Sequence, residues 1–214
     1  MAETARKAEM TQFDDLVARG VILGPDHFVL GDGYGNPGHH SSHFISAAKF
    51  YDARDLLHDF SRRLADRVAH WRVESIVSPD DQSLPVARLL GRLLAGTYRV
   101  PAVPCFSMES DPLPSGPIRV MIHDDVVSRG RQATELMGRL RERGIEIVGI
   151  SCLFRRIDSS LFGEVPIVAA LAEPLVTYPA AICPLCRAGV PVNTDFGKGR
   201  FFQAQQDEPA GFDI

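Results

Sequence analysis

The sequence predicts an α/β fold: a mainly parallel central sheet covered by helices on both faces. Three observations carry this expectation. From about residue 52 onward, short apolar segments alternate with longer segments of helical periodicity. The short segments are continuously apolar, as strands buried on both faces require. The chain of 214 residues is 45% hydrophobic and 23% charged, enough for one sizeable core with modest extras.

In order, residues Thr11 to Arg19 read as a short amphipathic helix with Phe13, Leu16 and Val17 on one face. His27–Leu30 reads as a strand that ends in the glycine-rich run Gly31–Gly38, and His43–Tyr51 reads as a second extended piece. Asp52 is the expected N-cap of a helix reaching about His70, with Leu56, Leu57, Phe60, Leu64 and Val68 as its buried stripe. The regular series then follows: strand Ser75–Ser78, helix Leu84–Ala95, strand Val100–Phe106, strand Ile118–His123, helix Gln132–Arg143 and strand Ile145–Phe154. Trp71 is expected to be a packing residue, and Arg139, Arg141 and Arg143 a solvated helix face. Phe201–Ile214, rich in Gln and acids, reads as a partly disordered tail.

Composition narrows the function classes. A net charge of −4 provides no electrostatic footprint for nucleic acid. No apolar run reaches the roughly 18 residues that span a bilayer. Met1–Met10 is polar and mixed in charge, unlike a signal peptide. The four cysteines suit a reducing compartment, so a cytoplasmic location is expected.

In a parallel sheet ligands bind beyond the carboxyl ends of the strands. That rule selects the loops Pro79–Ser83, Ser107–Pro117 and Asp124–Gln132. The last is the most informative. It follows a buried strand with two adjacent acids, Asp124 and Asp125, then a turn through Ser128, Arg129 and Gly130, then a helix start at Arg131 and Gln132. A turn opening into a helix N-terminus presents unpaired backbone N–H groups and a positive dipole end, which suit a phosphate. Gly130 lets the backbone close around the anion. The two carboxylates suit ribose hydroxyls, or Mg2+ held through water. The competing reading is an acid-rich strand end that only caps the next helix.

Val120–Gln132 resembles the phosphoribosyl diphosphate (PRPP) signature of the type I phosphoribosyltransferases. More of the chain is similar to the orotate phosphoribosyltransferase branch. His27–Leu30 with Gly33 and then Ser41–Ile45 resembles its small N-terminal hood, Leu153–Arg156 a segment after the next strand, and Cys183–Val192 a C-terminal Cys-Pro-Leu-Cys segment of some orotate-type enzymes. The resemblance spans about residues 11 to 192. It implies a single domain with a hood at 11–51, a core at 52–172, a C-terminal segment at 173–200 and a flexible tail at 201–214. It implies Mg2+-dependent transfer of 5-phosphoribosyl between PRPP and orotate or a related carboxylated base. Asp124 and Asp125 would be catalytic, Ser128–Gln132 would hold the 5-phosphate, and Asp80, Asp81, Gln82 and Ser83 occupy the pyrophosphate-loop position. His43, Phe44 and Arg155 would meet the base. A homodimer is implied, with small molecules as the other partners, and neither nucleic acid nor membrane.

Three departures bear on that reading. Arg129 and Arg131 replace small residues in the phosphate turn, and Asp80 and Asp81 make the pyrophosphate loop acidic. Phe106–Pro117, at the place of the family's mobile cationic loop, contains no Lys, Arg or His. Two alternatives therefore stay open: a catalytically silent nucleotide- or phosphosugar-binding protein, or an enzyme acting on a nucleoside 5-monophosphate without pyrophosphate.

Two further clusters invite a metal reading. His39, His40 and His43 are read as exposed loop histidines, because no Cys or carboxylate accompanies them at ligand spacing. Cys183 and Cys186 have the spacing of half a zinc site, yet a structural turn is the favoured reading, since two more ligands are not apparent.

Overall fold

The structure, a computed structural model, describes residues 12–31 and 38–207, the last three of these by backbone alone. Two compact units result. One contains the described residues up to Lys49 and those from Leu175 onward; the other is Phe50–Pro174.

The second unit holds the expected sheet. Its strands are β5 (Ser75–Ser78), β6 (Cys105–Ser107), β7 (Arg119–Val127), β8 (Glu146–Arg155), β9 (Leu161–Phe162) and β10 (Val165–Ala172), in the order β6-β5-β7-β8-β10-β9. All neighbours are parallel except β9, which returns antiparallel to β10. The helices are α3 (Arg54–Val68), α4 (Leu84–Tyr98) and α5 (Arg131–Arg141). Ala133, Leu136, Met137 and Leu140 of α5 pack on Val77, Val120, Ile122 and Ile150 of the sheet. Helices α3 and α4 pack against each other and on the strands, which leaves β7 and β8 covered on both faces.

The sheet differs from the sequence expectation at three places. The strand expected over Val100–Phe106 starts only at Cys105, because Pro101 and Pro104 bring no N–H to a ladder. Val165–Ala172, not anticipated, adds a fifth parallel strand; β8 reaches it through the β9 hairpin instead of a helix. The helix expected from Asp52 starts one residue later, at Arg54. Asp52 instead ends α2 (Ala47–Asp52), and Ala53 precedes α3. The buried side of α3 is Phe60, Leu64 and Val68 as expected, joined by Ser61 and Ala65, while Leu56 and Leu57 are half-buried.

The first unit begins with α1 (12–18), so the expected helix is present except for Thr11, which lies outside the described residues. Strands β1 (Ile22–Leu23) and β4 (Phe44–Ile45) pair antiparallel. Strands β2 (Phe28–Leu30), β3 (His39–Ser41) and β11 (Tyr178–Pro179) form a second small sheet in the order β11-β3-β2. The extended piece expected over 43–51 is thus only two residues long before α2 takes over; Ala47, Ala48 and Lys49 favour helix. Helices α6 (Pro184–Arg187) and α7 (Gly199–Asp207) follow β11. The expected disordered tail therefore begins with a helix, anchored where Lys198 N–H donates to the Val29 carbonyl at 2.8 Å. Residues 208–214, like Gly33 and its neighbours at 32–37, lie outside the described residues. Among the described residues no helix is long and apolar enough to cross a membrane.

One packing contact explains an irregularity beside β7. The β7–β8 register slips between Val120 and Met121, so that Met121 pairs with Gly149. A Cβ built on Gly149 would lie 2.4 Å from the Trp71 ring, which is 7% exposed. Trp71 is the packing residue expected, and it occupies the space a side chain at 149 would need. Gly149→Ala should therefore destabilise the fold by about 1–3 kcal/mol, the usual cost of overpacking. Urea denaturation measures this directly, and an unchanged midpoint would contradict the contact.

Candidate functional site

The C-terminal ends of β5 and β7 and the start of α5 bring together most of the residues singled out from sequence. Asp124 and Asp125 are 7% and 6% exposed and lie within β7, not after it. The strand extends to Val127 because the backbone there still pairs with Phe154 and Arg155 of β8. The acid pair is thereby held by sheet hydrogen bonds instead of riding on a loop.

The electrostatics of the pair follow from that position. Burial pushes the Asp124 carboxyl up to about 8, helped by the charges of Asp125 and Asp80 and opposed by backbone N–H donors. Burial likewise raises Asp125 to about 7, with Asp80 adding to the rise and the Tyr51 hydroxyl opposing it. Tyr51 is 2.7 Å from both Asp125 carboxylate oxygens and 2.8 Å from the Gln82 carbonyl. A tyrosine hydroxyl carries one proton, so Tyr51 donates either to the Asp125 carboxylate or to the Gln82 carbonyl. Tyr51 itself is pushed far above its ordinary range by burial and the adjacent acid, and stays protonated. Sequence reading missed Tyr51, having placed it at the end of an extended segment; the helix α2 is what carries it.

His123 is a packed residue inside β7. It is fully buried, its Nδ1 is 2.9 Å from the Ser151 hydroxyl, and burial lowers it to about 3, so it is neutral.

The turn after β7 has the expected form. Gly130 takes a positive φ of 71° immediately before α5, and a Cβ there would sit 2.2 Å from the Phe162 ring, so conformation and space both require glycine. Ser128 and Gln132 are half-buried, and Arg129 and Arg131 are exposed. Gly130 accepts from Thr134 N–H, which leaves the first N–H groups of α5 directed away from its own ladder.

The loop after β5 is tied to this turn. Asp80 accepts from the Ser83 N–H at 2.9 Å and the Ser83 hydroxyl at 2.6 Å, and Gln132 Nε2 lies 3.5 Å from its other oxygen. Asp81 is exposed; the hydroxyls of Ser107 and Ser110 hold its carboxyl below the usual range, the latter at 2.6 Å. The Asp81 N–H donates to Glu109 at 3.1 Å. The cation-free segment after β6 is thus hydrogen-bonded to the acidic loop. Gln82 contributes its carbonyl to Tyr51, and the Ser78 hydroxyl at the end of β5 is buried with no hydrogen-bond partner among the described residues.

Arg155, at the end of β8, is in register with Val127. Its Nε is buried and has no hydrogen-bond partner among the described residues. His43 and Phe44 belong to the first unit, where Phe44 packs between Phe28 and Phe196 and His43 stands edge-on to Phe13. The other expected cluster is overturned. His40 is fully buried in β3, not exposed in a loop, and Cys183 and Cys186 approach it and His27 from the far end of the chain. Sequence spacing does not reveal such an approach, because 146 residues separate His40 from Cys186.

Comparison with known proteins agrees with this architecture. No family model matches the chain. It is 26% identical over 175 residues to the orotate phosphoribosyltransferase of Caldanaerobacter subterraneus, covering 80% of this chain and 88% of that one. The crystal structure of the orotate phosphoribosyltransferase of Francisella tularensis superposes with a TM-score of 0.55 at 18% identity, covering 76% of this chain and 85% of that one. The Leishmania donovani UMP synthase structure gives 0.54 at 19% identity over 89% of this chain, which spans 40% of that longer protein. By sequence the chain is similar to the orotate phosphoribosyltransferases, and its fold is that of the type I phosphoribosyltransferases.

Proposed function

We propose that this protein transfers a 5-phosphoribosyl group between PRPP and a nitrogen base carrying a carboxylate, of the orotate type. The observation that carries the reading is the buried pair Asp124–Asp125, followed within one turn by Gly130 and the N-terminus of α5. Ribose hydroxyls donate to the two carboxylates. Their negative charge then faces the positive charge that develops on the ribose ring as the glycosidic bond breaks, in a site with little water to screen it. The 5-phosphate sits on the open N–H groups at the start of α5, with Ser128 and Gln132 beside it and Arg129 and Arg131 at its rim. The buried Arg155 Nε, without a hydrogen-bond partner among the described residues, supplies a donor for a carboxylate on the base. His43 and Phe44 are assigned to the base on the resemblance alone, as is assembly into a homodimer.

Magnesium fits the donor set. Asp80, Asp124 and Asp125 are hard oxygen donors; burial, with the charge of Asp80 adding to it, raises the two buried carboxyls, and a cation among them would favour their ionised forms. Their oxygens do not converge into a direct three-ligand cluster, which suits an ion held through its water shell. Bound there, the ion would neutralise the phosphates of PRPP.

A second reading is supported by one specific observation. The acidic 80–81 loop is hydrogen-bonded to the segment that lacks Lys, Arg and His, so the place of a departing pyrophosphate is lined with acceptors. That arrangement favours a nucleoside 5-monophosphate as ligand, either acted on or simply bound.

The deciding assay follows pyrophosphate release from PRPP, Mg2+ and orotate, with release of base from nucleoside monophosphates measured in parallel. Turnover is expected in the first. Absence of turnover in both, with saturable nucleotide binding by calorimetry, would leave only the binding role. Asp124→Asn together with Asp125→Asn should lower turnover by about 10²-fold or more without unfolding the protein; full activity in that variant would refute the site.

The pH behaviour has a definite sign. Both carboxyls are raised in the folded state, so their contribution to stability is complete below the ordinary carboxylate range and is lost as pH rises toward about 8. The ligand-free protein should therefore lose stability over that interval, whereas turnover, which needs the charged pair, should rise. Above that interval Asp124→Asn should be more stable than the parent by at least about 1 kcal/mol, the worth of one pKa unit. Thermal unfolding of both proteins across the interval measures this, and parallel curves would contradict the burial argument.

A further inference from the structure

A second cluster of chemically capable side chains lies within the first unit, and the phosphoribosyl reading does not use it. His27 Nε2, His40 Nδ1, Cys183 Sγ and Cys186 Sγ all lie within 4.8 Å of one another. His27 precedes β2 and His40 lies in β3, where it is paired across the ladder with Val29. The cysteines flank Pro184 and Leu185 at the start of α6. His27, His40 and Cys183 are buried and Cys186 is exposed. We propose that these four residues form a structural site for a tetrahedral divalent ion of the zinc class.

The hydrogen bonding around the histidines supports ligation. His27 Nδ1 is 2.7 Å from the Val190 carbonyl, which only accepts, so the ring proton sits on Nδ1. Its Nε2 is then a lone pair aimed at the centre of the cluster, the arrangement by which a backbone carbonyl orients a metal-binding imidazole. His40 Nδ1 lies 2.8 Å from that Nε2. Without an ion His40 must donate from Nδ1, and its other nitrogen becomes a bare lone pair. That Nε2 is buried and has no hydrogen-bond partner among the described residues. With an ion, Nδ1 ligates and Nε2 carries the proton beside the Phe202 ring, whose centroid is 4.7 Å from that of His40 at an interplanar angle of 81°.

The separations agree with the same geometry. Bonds of 2.0–2.1 Å to nitrogen and 2.3 Å to sulfur place tetrahedral ligand atoms about 3.3–3.8 Å apart. Cys186 Sγ is 3.2 Å from His40 Nδ1 and 3.6 Å from His27 Nε2, and Cys183 Sγ is 3.7 Å from His27 Nε2. The two nitrogens would part by about 0.5 Å to admit the ion. Binding releases the two thiol protons to solvent, and two thiolates then balance a divalent charge, so the buried cluster is neutral. Four protein ligands leave no open position, which makes the role structural and not catalytic. The ion would clip the β2–β3 hairpin to a segment about 146 residues later in the chain.

The test is metal analysis of the full chain, produced with zinc in the medium and purified in reducing buffer without chelator. About one zinc per chain is expected, resistant to gel filtration. Cys183→Ser with Cys186→Ser should lower it at least about tenfold, while Cys105→Ser, distant in sequence from the cluster, should leave it unchanged. In case the double variant does not fold, cobalt(II) is exchanged into the parent chain. A thiolate-to-cobalt charge-transfer band with intense tetrahedral ligand-field bands is expected. The proposal is overturned if the parent, supplied with zinc or cobalt, binds neither, if cobalt gives the weak spectrum of an octahedral site, or if the double cysteine variant retains its metal.

Discussion

Burial of β7 between two parallel neighbours is the constraint on which the second unit depends. Pairing with β5 ends at Ile122, but pairing with β8 continues past the strand's apolar half and alongside its two acids to Val127. A carboxylate in that position cannot turn away toward water, because the ladder fixes its Cα and the neighbouring strands fill the space beside it. The same ladder sets where Gly130 reverses the chain and where α5 begins. The location of the acid pair relative to the helix N-terminus is therefore a consequence of sheet registry, not of loop conformation.

The cost of that arrangement is electrostatic. Two desolvated carboxyls with Asp80 nearby disfavour their own ionised forms, and the Tyr51 hydroxyl opposes this at Asp125. Such a site is strained toward neutrality until something positive arrives. A cation, a ribose ring acquiring positive charge or a network of hydroxyl donors each relieves it.

The first unit has a different physical problem. Its strands are two or three residues long, and strands that short bury little apolar area. Small units of this kind are usually held by covalent or metal cross-links. Four ligand atoms drawn from three separated stretches of chain meet that need. The hydrogen bonds that join residues 193 and 198 to the strand beside His27 reinforce the same closure.

Much of the second unit was legible in the sequence. Continuous apolar runs and the stripe of α3 follow from burial, which acts on side chains one element at a time. Asp124, Asp125 and Gly130 were legible for the same reason, since a strand, an acid pair and a turn are local in sequence. Segments whose state depends on partners were not. Val165–Ala172 became a strand because β8 offered it an edge, and Ala47–Asp52 became helical where an extended piece had been expected. Tyr51 reached Asp125 only through that helix. His27 and His40 joined Cys183 and Cys186 through contacts that close a chain of more than a hundred residues. The sequence by itself determined the fold class, the acid pair and the turn at Gly130, because each is set by local periodicity and backbone chemistry. Only the tertiary structure decided the protonation of the acids and the four-ligand cluster, because burial and convergence are properties of neighbours distant along the chain.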